Sequence, residues 1–186
     1  MNTETGYGQP EMNHFTGRSE AASFTLSNLL QKGAPIVALL ALEVDQISKL
    51  WVREGLILGE SIPQEGVLRI TRVANHGMIF GVPAPSAVSL LLPLIVIALF
   101  VYLYRLYVFS DSKLLNVAIG LFIGGSLGNV VDRIAFGHVT DFVDLALRGG
   151  VVRTTFNIAD VCIIIGIILF GIFFLRLRLT SVEKSG

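Results

Sequence analysis

The sequence predicts an all-α membrane protein: four transmembrane helices carrying a small extracytoplasmic β-sheet. Three observations predict it. Mean hydropathy is +0.71. Charged residues are 15% of the 186 residues, against roughly 25% in an ordinary soluble domain. Apolar stretches near 34–51, 87–107, 114–131 and 158–175 each approach the roughly 20 residues a spanning helix requires. Backbone groups in lipid must be bonded within their own segment, so these stretches are expected as helices.

Taken in order, residues 1–32 form a polar extension, with 1–18 expected to be disordered. Residues 19–32 are expected as a short interfacial helix, capped by Ser19, stopped by Gly33, and turning Phe24, Leu26, Leu29 and Leu30 to the membrane. The extension has neither the basic start nor the apolar run of a secretory leader, so the spans are expected to direct insertion. Residues 33–178 form the four-span domain, and 179–186 a cytoplasmic tail. After the first span, residues 67–73 mix β-branched and polar side chains between Gly66 and Asn75-His76-Gly77, which reads as a surface strand. A short hairpin joins spans two and three, and a longer loop joins three and four. Trp51 is expected as an interfacial anchor, and Cys162 as a packing residue.

Four spans place both termini on one side. Arg18 and Lys32 before the first span, Arg105 and Lys113 beside the hairpin, and Arg176, Arg178 and Lys184 after the last favour the cytoplasm for that side. The opposite face then receives the end of spans one and three and the start of spans two and four. Most of the unusual polar residues fall there. A formal net charge of zero gives no reason to expect nucleic acid. A single cysteine excludes an internal disulfide and a cysteine-based metal site.

Two acids stand out, Asp141 in His138-Val139-Thr140-Asp141-Phe142 and Asp160 just before an apolar run. An acid at the edge of hydrocarbon is a functional-site hypothesis by default. Two that meet can share one proton, which is a way to activate water. Asp45 and Lys49 share a helix face and are expected as a structural ion pair, with Asp45 orienting nearby backbone. Gly124 and Gly128 make a small-residue face for close helix packing. Asn129, Asp132 and Arg133 follow on one face; Asp132 and Arg133 are expected to pair, and Asn129 to serve the site. Asn157 suits a helix N-cap. Asp144 is expected to be solvated, and His76 and His138 to lie at the surface.

These blocks, Asp45-Gln46-Ile47-Ser48-Lys49, Asn75-His76-Gly77-Met78-Ile79-Phe80-Gly81, 124–133 with Gly137-His138-Val139-Thr140-Asp141-Phe142, and Phe156-Asn157-Ile158-Ala159-Asp160, together resemble the lipoprotein signal peptidases (signal peptidase II) over about 35–178. The resemblance implies an aspartyl endopeptidase of the bacterial inner membrane. Such an enzyme removes signal peptides from prolipoproteins, cutting before a diacylglyceryl-modified cysteine, without cofactor or metal. It implies a catalytic pair at Asp141 and Asp160. Site-supporting roles fall to Asp45, Asn75, Asn129, Asp132, Arg133 and Asn157. It also implies a short loop helix beside the sheet, in the 138–156 loop, and both termini in the cytoplasm. The expected partners are a diacylated prolipoprotein and membrane lipid, with the protein a monomer. His76 stands where the family usually has threonine, and Met78 and Ile79 where it has small residues. Rival readings are a transporter, a metal-dependent hydrolase built on Asp141, Asp144, Asp160 and His138, and a non-enzymatic scaffold.

Overall fold

The structure, a computed structural model, describes residues 33–77, 83–107, 112–147 and 152–183. The expected interfacial helix at 19–32, and Met78 and Ile79, lie outside the described residues. In chain order the elements are α1 (Ala34–Gly55), β1 (Ser61–Ile62), β2 (Leu68–Asn75), α2 (Ser86–Tyr107), α3 (Lys113–Phe136), β3 (Val139–Leu147), β4 (Val152–Phe156) and α4 (Ile158–Glu183). Among the described residues three stretches are long and apolar enough to cross a membrane: Ser86–Leu106, Lys113–Phe136 and Ile158–Leu179. The first predicted span, α1, has the length, at 22 residues. It differs in carrying Glu43, Asp45, Lys49, Arg53 and Glu54 from its middle onward.

Local chemistry sets the helix ends. Pro35 opens α1, where its missing N–H would have no partner in any case. Ser112 caps α3 by accepting the Leu115 N–H at 3.3 Å. Gly137 closes it in the left-handed region, φ 75°, donating to the Arg133 carbonyl at 3.0 Å. That turn lets β3 begin at Val139, directly after the helix, and so sets Asp141 beside the end of α3.

Helix α3 is the centre of the bundle. Buried residues are 61% of its apolar window, against 6% for α2 and 28% for α4. Glycine makes this possible. A Cβ at Gly124 would overlap the Ala38 carbonyl of α1, and one at Gly128 the Asp45 carboxylate. On the other side, a Cβ at Gly125 would lie 2.5 Å from the Ala159 carbonyl oxygen of α4. The predicted small-residue face is therefore the contact with α1, and it extends back to Gly120. One end of the bundle is an apolar cluster of Ala34, Tyr104, Leu115, Ile119 and Phe173. Phe100 stacks on Phe122 nearby, with ring centroids 3.8 Å apart. The other end is polar and carries the sheet.

The sheet is antiparallel throughout, in the order β1-β2-β3-β4. The strand expected at 67–73 is β2. The loop helix expected in 138–156 is absent among the described residues of that loop, which supply β3 and β4 instead. Val139, Val143, Val152, Thr154 and Thr155 are β-branched and pack on a pleated surface better than on a helical turn. Between Ile70 and Val73 the register of β2 on β3 slips at a bulge, after which Val73 faces Asp141 and Asn75 faces Val139.

Candidate active site

The site forms where the ends of α1 and α3, the start of α4, and the sheet converge. It begins with a buried cation. The Lys49 ammonium is fully buried. It meets Asp45 Oδ2 at 2.8 Å, Asp132 Oδ2 at 3.5 Å and Asn129 Oδ1 at 2.9 Å. The expected Asp45–Lys49 pair is formed. The other Asp45 oxygen accepts the Ala159 N–H at 2.9 Å, so Asp45 does orient backbone, and what it holds is the first turn of α4.

The Asn129 amide passes this order on. Its oxygen faces Lys49, which leaves its Nδ2 to donate to Asp160 Oδ1 at 2.9 Å. Asp160 and Asn157 cap α4 reciprocally: Asn157 N–H to Asp160 Oδ2 at 3.2 Å, Asp160 N–H to Asn157 Oδ1 at 3.0 Å. With its oxygen so engaged, Asn157 turns its Nδ2 to Asp141 Oδ1 at 2.8 Å. Asn75 donates to Asp141 Oδ2, also at 2.8 Å. Asn157 therefore touches both acids.

Each carboxylate oxygen of Asp141 and Asp160 thus has one neutral N–H donor. A carboxylate has about four lone-pair positions, so each keeps capacity for a further donor such as water. Both are nearly inaccessible, at 1% and 4% exposure. Among the described residues neither is in an ion pair. Burial foremost, then the charge of Asp160, raises the Asp141 carboxyl to a pKa of about 7; the bonds from Asn75 and Asn157 oppose the rise. Removing one of those bonds favours the protonated form. Asn75→Ala is therefore expected to move the Asp141 titration upward from about 7. Infrared difference spectra of the protonated-carboxyl band, assigned by its loss in Asp141→Asn, measure this.

Two expectations are corrected. Asp132 does not pair with Arg133. Successive helical residues point about 100° apart, and Asp132 turns inward to Lys49, to Arg53 at 3.3 Å, and to the Thr140 N–H at 2.8 Å. Arg133 donates to the Gly77 and Asn129 carbonyls, at 3.0 and 3.3 Å. Asp144 is not solvated. It sits three residues from Asp141 on a strand, hence on the opposite face, and is 2% exposed. Arg69 and Arg153 bond it at 3.0 and 3.1 Å, and Thr71 at 3.0 Å. Burial acts to raise its pKa, but these bonds outweigh it and hold the carboxyl below its ordinary value. With Asp144 on the far face, the acids of the metal-hydrolase reading do not converge. The described residues contain no group of three or more acids, histidines or cysteines placed to hold an ion.

The sequence reading missed three contributors. Gln46 donates to Asp45 Oδ2, the Gly128 carbonyl and Asp132 Oδ1 at 3.1, 3.0 and 3.4 Å. Arg53 bonds Thr140 Oγ1 at 3.1 Å. The Thr140 N–H fixes Asp132. The helical spacing of Gln46, Lys49 and Arg53 along α1 was the available signal. Beside the acids, an apolar cleft of about 200 Å³ runs between α2, α3 and α4. Leu92, Val96, Phe122 and Ile163 line it, and Asn129 and Arg133 form its polar end.

Fold and site together define a polytopic, mostly helical membrane protein with two buried aspartates, Asp141 and Asp160, joined through Asn157 at one end of its bundle. Residues 37–176 match the family model described as signal peptidase (SPase) II. The chain belongs to that family. It is 36% identical over 140 residues to a lipoprotein signal peptidase of Moorella thermoacetica, covering 72% of this chain and 87% of the relative. It is 36% identical over 154 residues to that of Halothermothrix orenii, covering 81% and 97%. A solved structure described as a bacterial membrane enzyme aligns with a TM-score of 0.65 at 29% identity, covering 88% of this chain and 94% of that one. The protein is accordingly a multi-pass bacterial membrane peptidase of the signal peptidase II type, acting in lipoprotein processing.

Proposed function

We propose that the protein is an aspartyl endopeptidase whose catalytic pair is Asp141 and Asp160. It cleaves prolipoproteins just before the diacylglyceryl-modified cysteine. The carrying observation is the Asn157 side chain, which bonds Asp141 Oδ1 through Nδ2 and caps Asp160 through Oδ1. One residue so holds two acids from different elements in one geometry, and among the described residues neither acid is in an ion pair.

In the proposed reaction the pair holds one proton and one water. One of the two acids carries the proton and hydrogen-bonds the scissile carbonyl; Asp141, raised to about 7, is in the range where a shared proton is held near neutral pH. The other, as a carboxylate, takes a proton from the water as the water oxygen adds to the carbonyl carbon; the Asn129 amide and the Asn157 N–H orient Asp160 for either role. The tetrahedral intermediate collapses as a proton passes to the leaving nitrogen and the C–N bond breaks. Asn75, Asn129 and Asn157 orient the carboxyl groups, and Asp45 and Asp132 orient Lys49 beneath them. Arg133 sits at the polar end of the cleft, where it faces the substrate backbone.

Four spans fit this function. Twenty-two residues of α1 extend about 33 Å, enough to cross a hydrocarbon core of about 30 Å. Its Asp45 and Lys49 are buried against α3 rather than turned to lipid. Both termini then lie in the cytoplasm and the acids near the extracytoplasmic face. A diacylated cysteine cannot leave the bilayer, so its scissile bond stays at that depth. The apolar cleft between α2, α3 and α4 offers its chains a lateral entry. The protein is expected to act as a monomer and without a cofactor.

The test is cleavage of a diacylated prolipoprotein and of the same precursor without its lipid by the purified protein. The lipidated precursor is expected to yield a product whose new N-terminus is the modified cysteine, read by mass spectrometry. Equal cleavage of the unlipidated precursor would overturn the substrate assignment.

A further inference from the structure

His76 and His138 are not used by the chemistry above, and they are adjacent. The β2–β3 ladder ends at Asn75 opposite Val139; one further step sets His76 opposite His138. Their ring centroids are 5.3 Å apart, with planes tilted by 54°. Neither imidazole makes a hydrogen bond among the described residues. His76 is exposed and His138 half-buried, so water reaches the pair.

We propose that His76 and His138 form a two-imidazole binding site for a divalent transition-metal ion of the zinc class, at the end of the β2–β3 ladder next to Asn75. The spacing carries it. With Zn–N bonds of about 2.0–2.1 Å and a nitrogen about 1.2 Å from its ring centre, two imidazoles on one tetrahedral ion have centroids about 5 Å apart. The observed centroid separation of 5.3 Å matches that spacing. Solvent at His76 leaves the remaining coordination positions to water. Imidazole donors select zinc, copper or nickel over magnesium or calcium, which take oxygen ligands.

The ion would tie the end of β2 to the start of β3. Asn75, which bonds Asp141, directly precedes His76, and its Oδ1 accepts the Gly77 N–H at 2.8 Å. Occupancy therefore stiffens the support of Asp141 and places positive charge beside it. Metal binding itself does not rest on the proposed peptide chemistry, so the two can fail separately.

The test is calorimetric titration of the full-length protein in detergent with ZnCl2 and, separately, MgCl2. One saturable zinc equivalent is expected, with no magnesium binding. His76→Gln and His138→Gln, which keep side-chain size and polarity, should each weaken zinc binding at least tenfold. Thermal melting of the metal-free variants should stay at the wild-type value, separating lost ligation from lost folding. His14→Ala, which removes the chain's third histidine, should bind as wild type. Absence of saturable zinc binding, its persistence in both Gln variants, or displacement of zinc by magnesium would overturn the proposal.

Discussion

Asp141→Asn and Asp160→Asn are each expected to lower turnover of a diacylated prolipoprotein by about 10³-fold or more while the protein stays folded. The magnitude follows from positioned proton transfer, which contributes about 10²–10⁴-fold. An amide can neither hold the shared proton nor accept one from water. Both acids belong to one unit, so the double variant should be little worse than either single variant. Structural cost differs between them. At Asp141 the amide keeps one acceptor for Asn75 or Asn157 and loses the other. At Asp160 the reciprocal cap on α4 is weakened as well, a loss of about 1 kcal/mol. Melting temperature in detergent, measured beside single-turnover cleavage, separates the two effects. Cleavage near the wild-type rate by either variant would remove that residue from the chemistry.

The second large effect is expected at Lys49. Lys49→Met leaves Asp45 and Asp132 buried with no ammonium between them and removes the donor that orients Asn129. Breaking a buried pair by deleting one partner costs about 3–5 kcal/mol, so a marked fall in melting temperature is expected. Asp132 keeps Arg53 at 3.3 Å, so the larger part of the loss falls on Asp45. Lys49→Met combined with Asp45→Asn should therefore recover part of the stability, as interacting sites do in a double-mutant cycle. Cleavage should not return with it, because the Asn129 amide still lacks the partner that aims it at Asp160. An unchanged melting temperature in Lys49→Met would show that the ammonium does not hold the bundle.

Periodicity and composition sufficed for much of the fold. The apolar runs at 87–107, 114–131 and 158–175 are helices because lipid-exposed backbone must bond within its own segment. Gly124 and Gly128 were legible as a contact face because only glycine fits where a Cβ would strike Ala38 or Asp45. Asp45 with Lys49 was legible because i,i+4 residues meet on one helix. The described residues of the 138–156 loop are strands, where the resemblance implied a helix. Its strands need β2 as a pairing partner, and that partner lies about seventy residues earlier in the chain.

The identity of the polar residues, and thereby the family, is written in the order of the blocks around Asp45, Asn75, Asn129, Asp141 and Asp160. What those residues touch is not. Asp132 chose Lys49 and Arg53 over its neighbour Arg133, and Asp144 chose Arg69 and Arg153 over water. Those choices depend on which side of α3 faces α1, and on a strand alternation that sends Asp141 and Asp144 to opposite faces of the sheet. Sequence spacing fixes neighbours within one helix or strand, because the backbone repeat is fixed there. The partners of a buried charge come from other elements, and only their packing decides them.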